Sequence, residues 1–213
     1  MSDAGFGWER LIRAAAQTIF DHVDELTALD SVVGDGDHGV NLQAGLNAAL
    51  SDLDSAEDPS AQDVLRLTGA ALQESMAGTA GLLLGRFFIV AGKEIDDRLD
   101  SHTVATVLRA GTDEILKRGK AQVGDRSMID ALAPAARIAS DLAADGVPVA
   151  EVVRAAAAAA REGAEKTSSM VPRVGRASRA GGEATGRPDA GAVSVTLLLE
   201  GWAEAMNRSG SDV

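Results

Sequence analysis

Apolar residues recur at intervals of three and four along most of this chain, and this spacing limits the possible folds more than any other feature. Such spacing places the apolar side chains on one face of an amphipathic helix. The first predicted helix runs from Trp8 to near Asp30, and its apolar face consists of Trp8, Leu11, Ile12, Ala15, Ile19, Val23 and Leu26. The same pattern predicts seven more helices, over residues 39–53, 61–75, 79–97, 102–119, 128–144, 149–167 and 190–206.

The rest of the sequence also favours an all-α fold. No segment alternates convincingly as a strand would, and the best strand candidate, 193–197, runs directly into an apolar helical segment. Hydrophobic residues make up 46% of the chain but aromatic residues only 3%, so the core must consist mainly of Ala, Leu, Val and Ile. Such side chains allow helices to pack closely. We therefore predict one all-α domain over residues 1–213.

Composition excludes several kinds of partner and site. The formal net charge of -12 argues against binding to nucleic acid or to a membrane surface, because both need a phosphate-neutralising basic patch. The chain has no cysteine, so a metal would need oxygen ligands. No secretion signal is visible, and no apolar run reaches the roughly 20 residues that cross a bilayer. We expect a cytoplasmic protein.

Three carboxylates, Asp30, Asp35 and Asp37, lie close together at the predicted junction of the first two helices. Like charges at this density repel one another unless a cation neutralises them. Oxygen ligands suit a hard ion such as Mg²⁺ or Ca²⁺, and Mg²⁺ typically joins one or two carboxylates to substrate phosphates. The cluster therefore predicts a site for a hard cation.

The cluster has two other interpretations. An EF-hand loop counted from Asp35 would need an acidic residue at its twelfth position, where this chain has Leu46, so a calcium loop of that kind is excluded. A solvated Asp/Gly turn that only caps the next helix remains open.

The helix predicted to begin near His38 directs its first N–H groups and its positive dipole end towards the same place, which favours phosphate. The glycines at 34, 36 and 39 allow a tight turn and a close approach of the backbone to a ligand. His38 alone is a weak signal, because a lone histidine beside acidic residues is more often a hydrogen-bond partner than a catalyst.

The irregular segment 168–189 contains the one concentrated group of cations in this acidic sequence. Its arginines are at 173, 176, 179 and 187, and glycines lie between them. A mobile surface loop and a functional loop both fit this composition, since long loops in small domains often bind ligands.

Five motifs together resemble the L-subunit family of dihydroxyacetone kinases, in order and in spacing, over nearly the whole chain. They are Gly-Asp-Gly-Asp-His-Gly at 34–39 with Asn41, Gly-Thr-Ala-Gly at 78–81 with Gly85, Phe87 and Phe88, Gly-Asp-Arg-Ser-Met-Ile-Asp at 124–130, Gly-Arg-Ala-Ser at 175–178, and Asp-Ala-Gly-Ala at 189–192. His38 distinguishes this branch from relatives that have threonine there.

The resemblance implies a closed barrel of eight antiparallel helices, with a nucleotide, ADP or ATP, bound in the loops at one end. It also implies two Mg²⁺ ions that Asp30, Asp35 and Asp37 hold against the nucleotide phosphates, with Arg176 as the phosphate-facing cation. The nucleotide contacts it implies are His38, Gly39, Val40, Asn41, Thr79, Ala80, Gly119, Met128, Arg176, Asp189, Ala190 and Gly191.

Two positions depart from the family pattern. Where the family usually has serine, this chain has Ala80, so one hydroxyl donor near the phosphates is missing unless Thr79 replaces it. Where the family has proline, this chain has Ala190, which implies a looser turn before the last helix.

The resemblance further implies the phosphoryl-donor subunit of a two-protein kinase. A separate K subunit would hold dihydroxyacetone through its own histidine. The donor would be bound ADP recharged by a phosphotransferase-system phosphocarrier protein, or exchanging ATP. Two alternatives stay open: a kinase subunit for a ketotetrose such as erythrulose, and an ADP-loaded regulatory module that binds a transcriptional regulator. An inert helical bundle would leave the aspartates and the arginine-bearing loop unexplained.

Overall fold

The chain is all-α, as the sequence predicts, within the residues described by this computed structural model: 3–32, 34–175, 177–179 and 186–208. The helices in this part of the chain are α1 Asp3–Phe20, α2 Val23–Ser31, α3 His38–Asp54, α4 Ala61–Ser75, α5 Gly78–Gly92, α6 Ser101–Gly119, α7 Ile129–Ala144, α8 Val149–Lys166 and α9 Ala190–Arg208. Short 3-10 turns lie at Thr167–Ser169 and Ala177–Arg179. Among the described helices, none is both long and apolar enough for a membrane span.

The first predicted helix is in fact two helices, α1 and α2, because the helical hydrogen bonding is interrupted at Asp21 and His22. In a continuous helix the His22 N–H would bond to the Thr18 carbonyl. Here the imidazole Nδ1 lies 2.8 Å from that carbonyl oxygen, while the His22 backbone N–H donates to Ile19 at 3.0 Å. The side chain thus takes the acceptor that the backbone would use. Apolar spacing continues across the break, which is why the pattern predicted one helix.

The helix predicted over residues 79–97 is also shorter in the structure, where α5 ends at Gly92. The N–H groups of Lys93 and Glu94 donate to carbonyls three residues back, at 3.1 and 3.0 Å, which tightens and ends the helix. Charged residues follow in the loop. The other predicted helices agree with the structure to within two residues at each end.

Helices that follow one another from α2 to α9 pack side by side, and α1 packs against α9, α3 and α4. Trp8 of α1 meets Trp202 of α9 edge to face, with ring centroids 5.8 Å apart. Next to this pair, a Cβ placed on Gly201 would lie only 2.6 Å from Cα of Ala15. The backbones of α1 and α9 therefore approach closely, as a core of small residues allows.

The N-termini of α3, α7 and α9 lie together at one end of the molecule. Nε2 of His38, at the start of α3, is 3.1 Å from Oγ of Ser194 in α9. A Cβ on Gly191, in the first turn of α9, would lie 3.6 Å from Cβ of Met128, the residue before α7. The loops that precede these helices therefore border a common region.

The first turn of α5 lies in the same region. A Cβ on Gly45 of α3 would be 3.1 Å from Cβ of Met76, and a Cβ on Gly81 of α5 would clash with the Met76 carbonyl oxygen. Leu83 of α5 in turn lies beside Gly119, the last residue of α6. We call this end, with the N-termini of α3, α5, α7 and α9 and the loops before them, the loop end.

Candidate functional site

The three aspartates singled out by the sequence come together at the loop end. Asp30 is in the last turn of α2, Asp35 is exposed in the following loop, and Asp37 directly precedes α3. One carboxylate oxygen from each lies within 4.8 Å of the other two. Octahedral Mg²⁺ holds its ligand oxygens about 3–4 Å apart, so a small closure would let this set share an ion. The oxygen-only donor set fits a hard cation.

Asp30 also organises the loop that carries the other two carboxylates. Its Oδ2 accepts hydrogen bonds from the backbone N–H groups of Gly36 at 3.0 Å and Asp37 at 3.1 Å. The Gly34 N–H donates to the Asp30 main-chain oxygen at 2.6 Å. A Cβ on Gly34 would clash with Oδ1 of Asp30. The loop thus wraps tightly around this carboxylate, which holds the acidic cluster in place.

The start of α3 is packed tightly onto α2. A Cβ on Gly39 would clash with the Val23 carbonyl oxygen and lie 2.6 Å from Oγ1 of Thr27. The first helical bond of α3 runs from the Asn41 N–H to Asp37 at 2.9 Å. The N–H groups before it have no acceptor within the helix, which leaves this end attractive to an anion. Val40 in the same turn is exposed.

We expect Gly39→Ala to destabilise the protein and to weaken any binding at the start of α3. The added methyl group meets backbone and not a flexible side chain, and such overpacking costs about 1–3 kcal/mol. Urea unfolding measures the loss. Gly119→Ala is the matched control, because its Cβ would find its nearest neighbour at 3.4 Å, an ordinary contact. Equal stability of the two variants would contradict the close packing of α3 on α2.

His38 joins the start of α3 to the start of α9. Oγ of Ser194 donates to the Gly191 carbonyl at 2.9 Å, so it accepts from His38 Nε2 at 3.1 Å, and the proton is on Nε2. Burial lowers the pKa of His38, and the nearby charges of Asp30 and Asp37 oppose this shift only in part. His38 is therefore a neutral hydrogen-bond donor that connects α3 to α9. The sequence alone did not indicate this connection.

The predicted contact residues before α9 are gathered against α7 and α8. Oδ2 of Asp189 accepts from the Ala192 N–H at 3.0 Å, which caps α9, and the Asp189 N–H donates to Oγ1 of Thr167 at 2.7 Å. Burial raises the pKa of Asp189 to about 6, although the Ala192 N–H and the charge of Arg126 oppose the shift. Ala190 is buried, and a Cβ on Gly191 would lie 3.6 Å from Cβ of the buried Met128.

The remaining predicted contacts are less closely connected. Thr79 is exposed and Ala80 half-buried in the first turn of α5, which begins at Gly78 with a φ of +84°. Gly119 lies 3.4 Å from Leu83 Cδ1, measured from an added Cβ. Arg176 lies outside the described residues.

A buried polar cluster that the sequence pattern did not predict lies next to the turn that precedes α9. Asp130 accepts from the N–H groups of Gly124 at 2.5 Å and Ser127 at 2.8 Å, and Arg126 is also buried. Ser127 and Asp130 have the spacing of a capping box, but only the bond from the Ser127 N–H to Asp130 is formed. Ser127 Oγ instead accepts from Ile129 at 3.3 Å.

The chain is similar to known proteins over most of its length. The DAK2 domain matches residues 32–204. The ADP-binding subunit DhaL of the PEP-dependent dihydroxyacetone kinase of Escherichia coli is 33% identical over 177 residues, which are 82% of this chain and 84% of that protein. L-erythrulose 1-kinase of Mycolicibacterium smegmatis is 36% identical over 196 residues, 90% of this chain but 34% of that enzyme.

Part of the dihydroxyacetone kinase of C. freundii has the same fold as this chain in two solved structures. The native form matches with a TM-score of 0.74 and 29% identity, over 92% of this chain and 34% of that one. The complex with AMP-PNP and Mg²⁺ matches with a TM-score of 0.70. This chain thus spans most of the E. coli subunit and about a third of the larger kinases. By its sequence and its fold, the chain belongs to the DAK2 domain family.

Proposed function

We propose that this chain binds Mg-ADP or Mg-ATP at the loop end and is the phosphoryl-donor subunit of a dihydroxyacetone kinase. One observation carries the proposal: three carboxylates that can share a cation, Asp30, Asp35 and Asp37, lie directly before the N-terminus of α3. A cation site beside a helix N-terminus suits a metal–phosphate ligand. The similarity of this chain to the ADP-binding subunit of E. coli supports the proposal.

The proposal includes a closed barrel of eight antiparallel helices in a single domain, with α1 and α2 together as one element of the wall. The sequential packing of α2 to α9 and the return of α1 to α9 support it. The nucleotide would occupy the loops at the loop end, where the contacts of His38, Met128 and Gly119 join neighbouring helices.

Within this site, each group has a distinct task. Two Mg²⁺ ions on the three aspartates would neutralise charge that develops on the transferred phosphoryl group. The first turn of α3, with His38, Gly39, Val40 and Asn41, offers backbone N–H groups to the phosphates. Arg176 is the proposed phosphate-facing cation. The other proposed nucleotide contacts are Thr79, Ala80, Gly119, Met128, Asp189, Ala190 and Gly191.

Titration of the purified chain with ADP by calorimetry, with and without Mg²⁺, tests this proposal. We expect binding that depends on Mg²⁺ and disappears with a chelator. A chain that is folded but binds neither Mg-ADP nor Mg-ATP would overturn it.

The acceptor ketone would be held by a separate K subunit that docks on the loop end. The exposed apolar residues support this location. Among the described residues, the large apolar side chains that are exposed all lie at helix ends or loops of the loop end: Val40, Leu82, Leu116, Val123 and Val171. An apolar rim of this kind is typical of a protein interface. Docking there would also exclude water from the phosphoryl group.

We expect Val123→Asp to weaken binding of the K subunit at least about tenfold, because a buried unpaired charge is costly at an interface. Val123 is 65% exposed, so neither folding nor Mg-ADP affinity should change. Surface plasmon resonance with an immobilised K subunit measures the effect. Ala144→Asp, exposed at the opposite end of α7, is the matched control. Wild-type affinity in Val123→Asp would exclude this part of the loop end from the interface.

A second candidate substrate is a ketotetrose such as erythrulose, which the 36% identity to L-erythrulose 1-kinase favours. The K subunit would make this choice, so one preparation of this chain combined with different K subunits and both ketones separates the candidates. For the phosphoryl source, similarity to PEP-dependent relatives supports bound ADP recharged by a phosphocarrier protein. Exchange of ATP is the alternative. Either reaction would take place in the cytoplasm, where these donors are made.

A further inference from the structure

Arg126 is buried, although charged side chains usually lie on the surface. It lies in the loop between α6 and α7, is only 2% exposed, and has a φ of +62°. Positive φ is uncommon for residues other than glycine and costs free energy, so surrounding contacts must hold the residue there. A buried arginine likewise persists only with strong partners.

The partners of Arg126 come from two other segments of the chain. Its Nε donates to the carbonyl oxygen of Thr167, at the end of α8, at 3.1 Å. Its Nη2 donates to the carbonyl oxygen of Arg187, two residues before Asp189, at 2.9 Å. A planar guanidinium can serve two acceptors in fixed directions, which a lysine ammonium cannot do in the same way.

These contacts support the turn formed by residues 189–191. Thr167 bonds to Arg126 through its carbonyl and accepts from the Asp189 N–H through Oγ1, at 2.7 Å. The charge of Arg126 also favours the ionised form of Asp189, whose carboxylate caps α9. Gly191 follows, 3.1 Å from Oδ2 of Asp189 when measured from an added Cβ. The arginine thus holds the segments on both sides of this series, at Thr167 and at Arg187.

We propose that Arg126 is a positioning residue that holds the 189–191 turn in its binding conformation and so sets the affinity for the nucleotide. The proposal rests on the proposed function, because that function makes 189–191 a nucleotide contact. Arg126 itself acts on the turn through the carbonyl groups of Thr167 and Arg187.

The test compares Arg126→Met, Arg126→Lys and Arg86→Met by Mg-ADP calorimetry and by thermal unfolding. Arg86 is the matched control, since its Nε and Nη2 also make two hydrogen bonds, at 3.0 and 2.9 Å, but to Glu114 on the α5–α6 face. We expect Arg126→Met to lose at least about tenfold in affinity, the effect of losing charge-assisted bonds. Arg86→Met should lower Tm but change affinity less than about twofold.

The pH dependence of affinity provides a readout that general destabilisation would not change. Arg126 and Asp130 are the charged groups that act on Asp189, and they shift its pKa in opposite directions. Without Arg126 the pKa of Asp189 rises further, so affinity should begin to fall at a higher pH as the solution is acidified. We expect this upward shift in Arg126→Met and not in Arg126→Lys, relative to wild type. Comparing variants removes the titration of ADP itself.

The outcomes separate the two proposals. Absence of Mg-ADP binding by the wild type would overturn the proposed function, and this inference with it. Binding by the wild type and equal binding by folded Arg126→Met would overturn only the positioning role. If Arg126→Met does not fold, Arg126→Lys is the deciding variant. We expect its affinity for Mg-ADP to fall about three- to fivefold, because lysine cannot replace both hydrogen bonds of the guanidinium. Full wild-type affinity in Arg126→Lys would show that the arginine is not needed.

Discussion

Asp35→Asn and Asp37→Asn should each lower the affinity for Mg-ADP at least about 100-fold, because even outer-shell partners of a metal site contribute 10- to 100-fold. Each substitution removes a full ligand charge from a set whose oxygens lie within 4.8 Å. Folding should be preserved, since both residues are in a loop outside the core. Without metal the variants should be slightly more stable than wild type, because repulsion within the cluster decreases. Calorimetry and thermal unfolding measure the two effects.

Asp52→Asn is the control for this experiment, because Asp52 is an exposed carboxylate near the other end of α3. It removes the same charge without touching the cluster. Asp30→Asn should differ from both loop variants, since Oδ2 of Asp30 also accepts two backbone N–H groups, and its loss should loosen the loop itself. If Asp35→Asn or Asp37→Asn binds Mg-ADP as tightly as the control, the aspartates do not hold the metal.

The purified chain alone should phosphorylate dihydroxyacetone at least about 1000-fold more slowly than the same chain with a K subunit, since positioning of reactants contributes even larger factors. The aspartates and Arg176 are proposed to organise the phosphoryl donor. Transfer also needs an acceptor hydroxyl held in line with it, and that group belongs to the partner. A coupled assay with ATP or a recharging system measures turnover.

A preparation of Asp37→Asn with the K subunit gives the background of this assay, because any contaminating kinase remains active in it. Turnover by the wild-type chain alone, well above that background, would refute the two-subunit mechanism. Turnover with erythrulose but not dihydroxyacetone, in the presence of a matched K subunit, would leave the mechanism intact and change the substrate.

Most of the helices could be predicted from sequence because each buries one face, and burial imposes the three-and-four spacing that the prediction uses. The break between α1 and α2 has another cause. It arises from competition between the imidazole of His22 and its own backbone N–H for the Thr18 carbonyl, which leaves the apolar spacing unchanged. The early end of α5 at Gly92 likewise depends on local hydrogen bonding.

For the candidate site, the parts that are local in sequence could be predicted and the parts that are distant could not. Asp30, Asp35 and Asp37 are joined by one short loop, so their proximity follows from their spacing. The bonds from His38 to Ser194 and from Arg126 to Thr167 join residues 156 and 41 positions apart. Nothing in the spacing of either pair indicates that they meet. Burial of Arg126 also contradicts the usual rule that charged residues lie outside.

The contact between Trp8 and Trp202 has a consequence for how the chain is made and folded. Because α1 packs against α9, part of the apolar face of α1 is covered by a helix that is synthesised much later. Contacts between residues so far apart in sequence slow folding. Apolar surface that stays exposed until folding is complete favours aggregation. The neighbouring helices α3 and α4 can shelter part of α1 in the meantime. Packing of α9 covers this face, and the same helix brings Ser194 to the loop end beside His38, so the core contact and the candidate site depend on one helix.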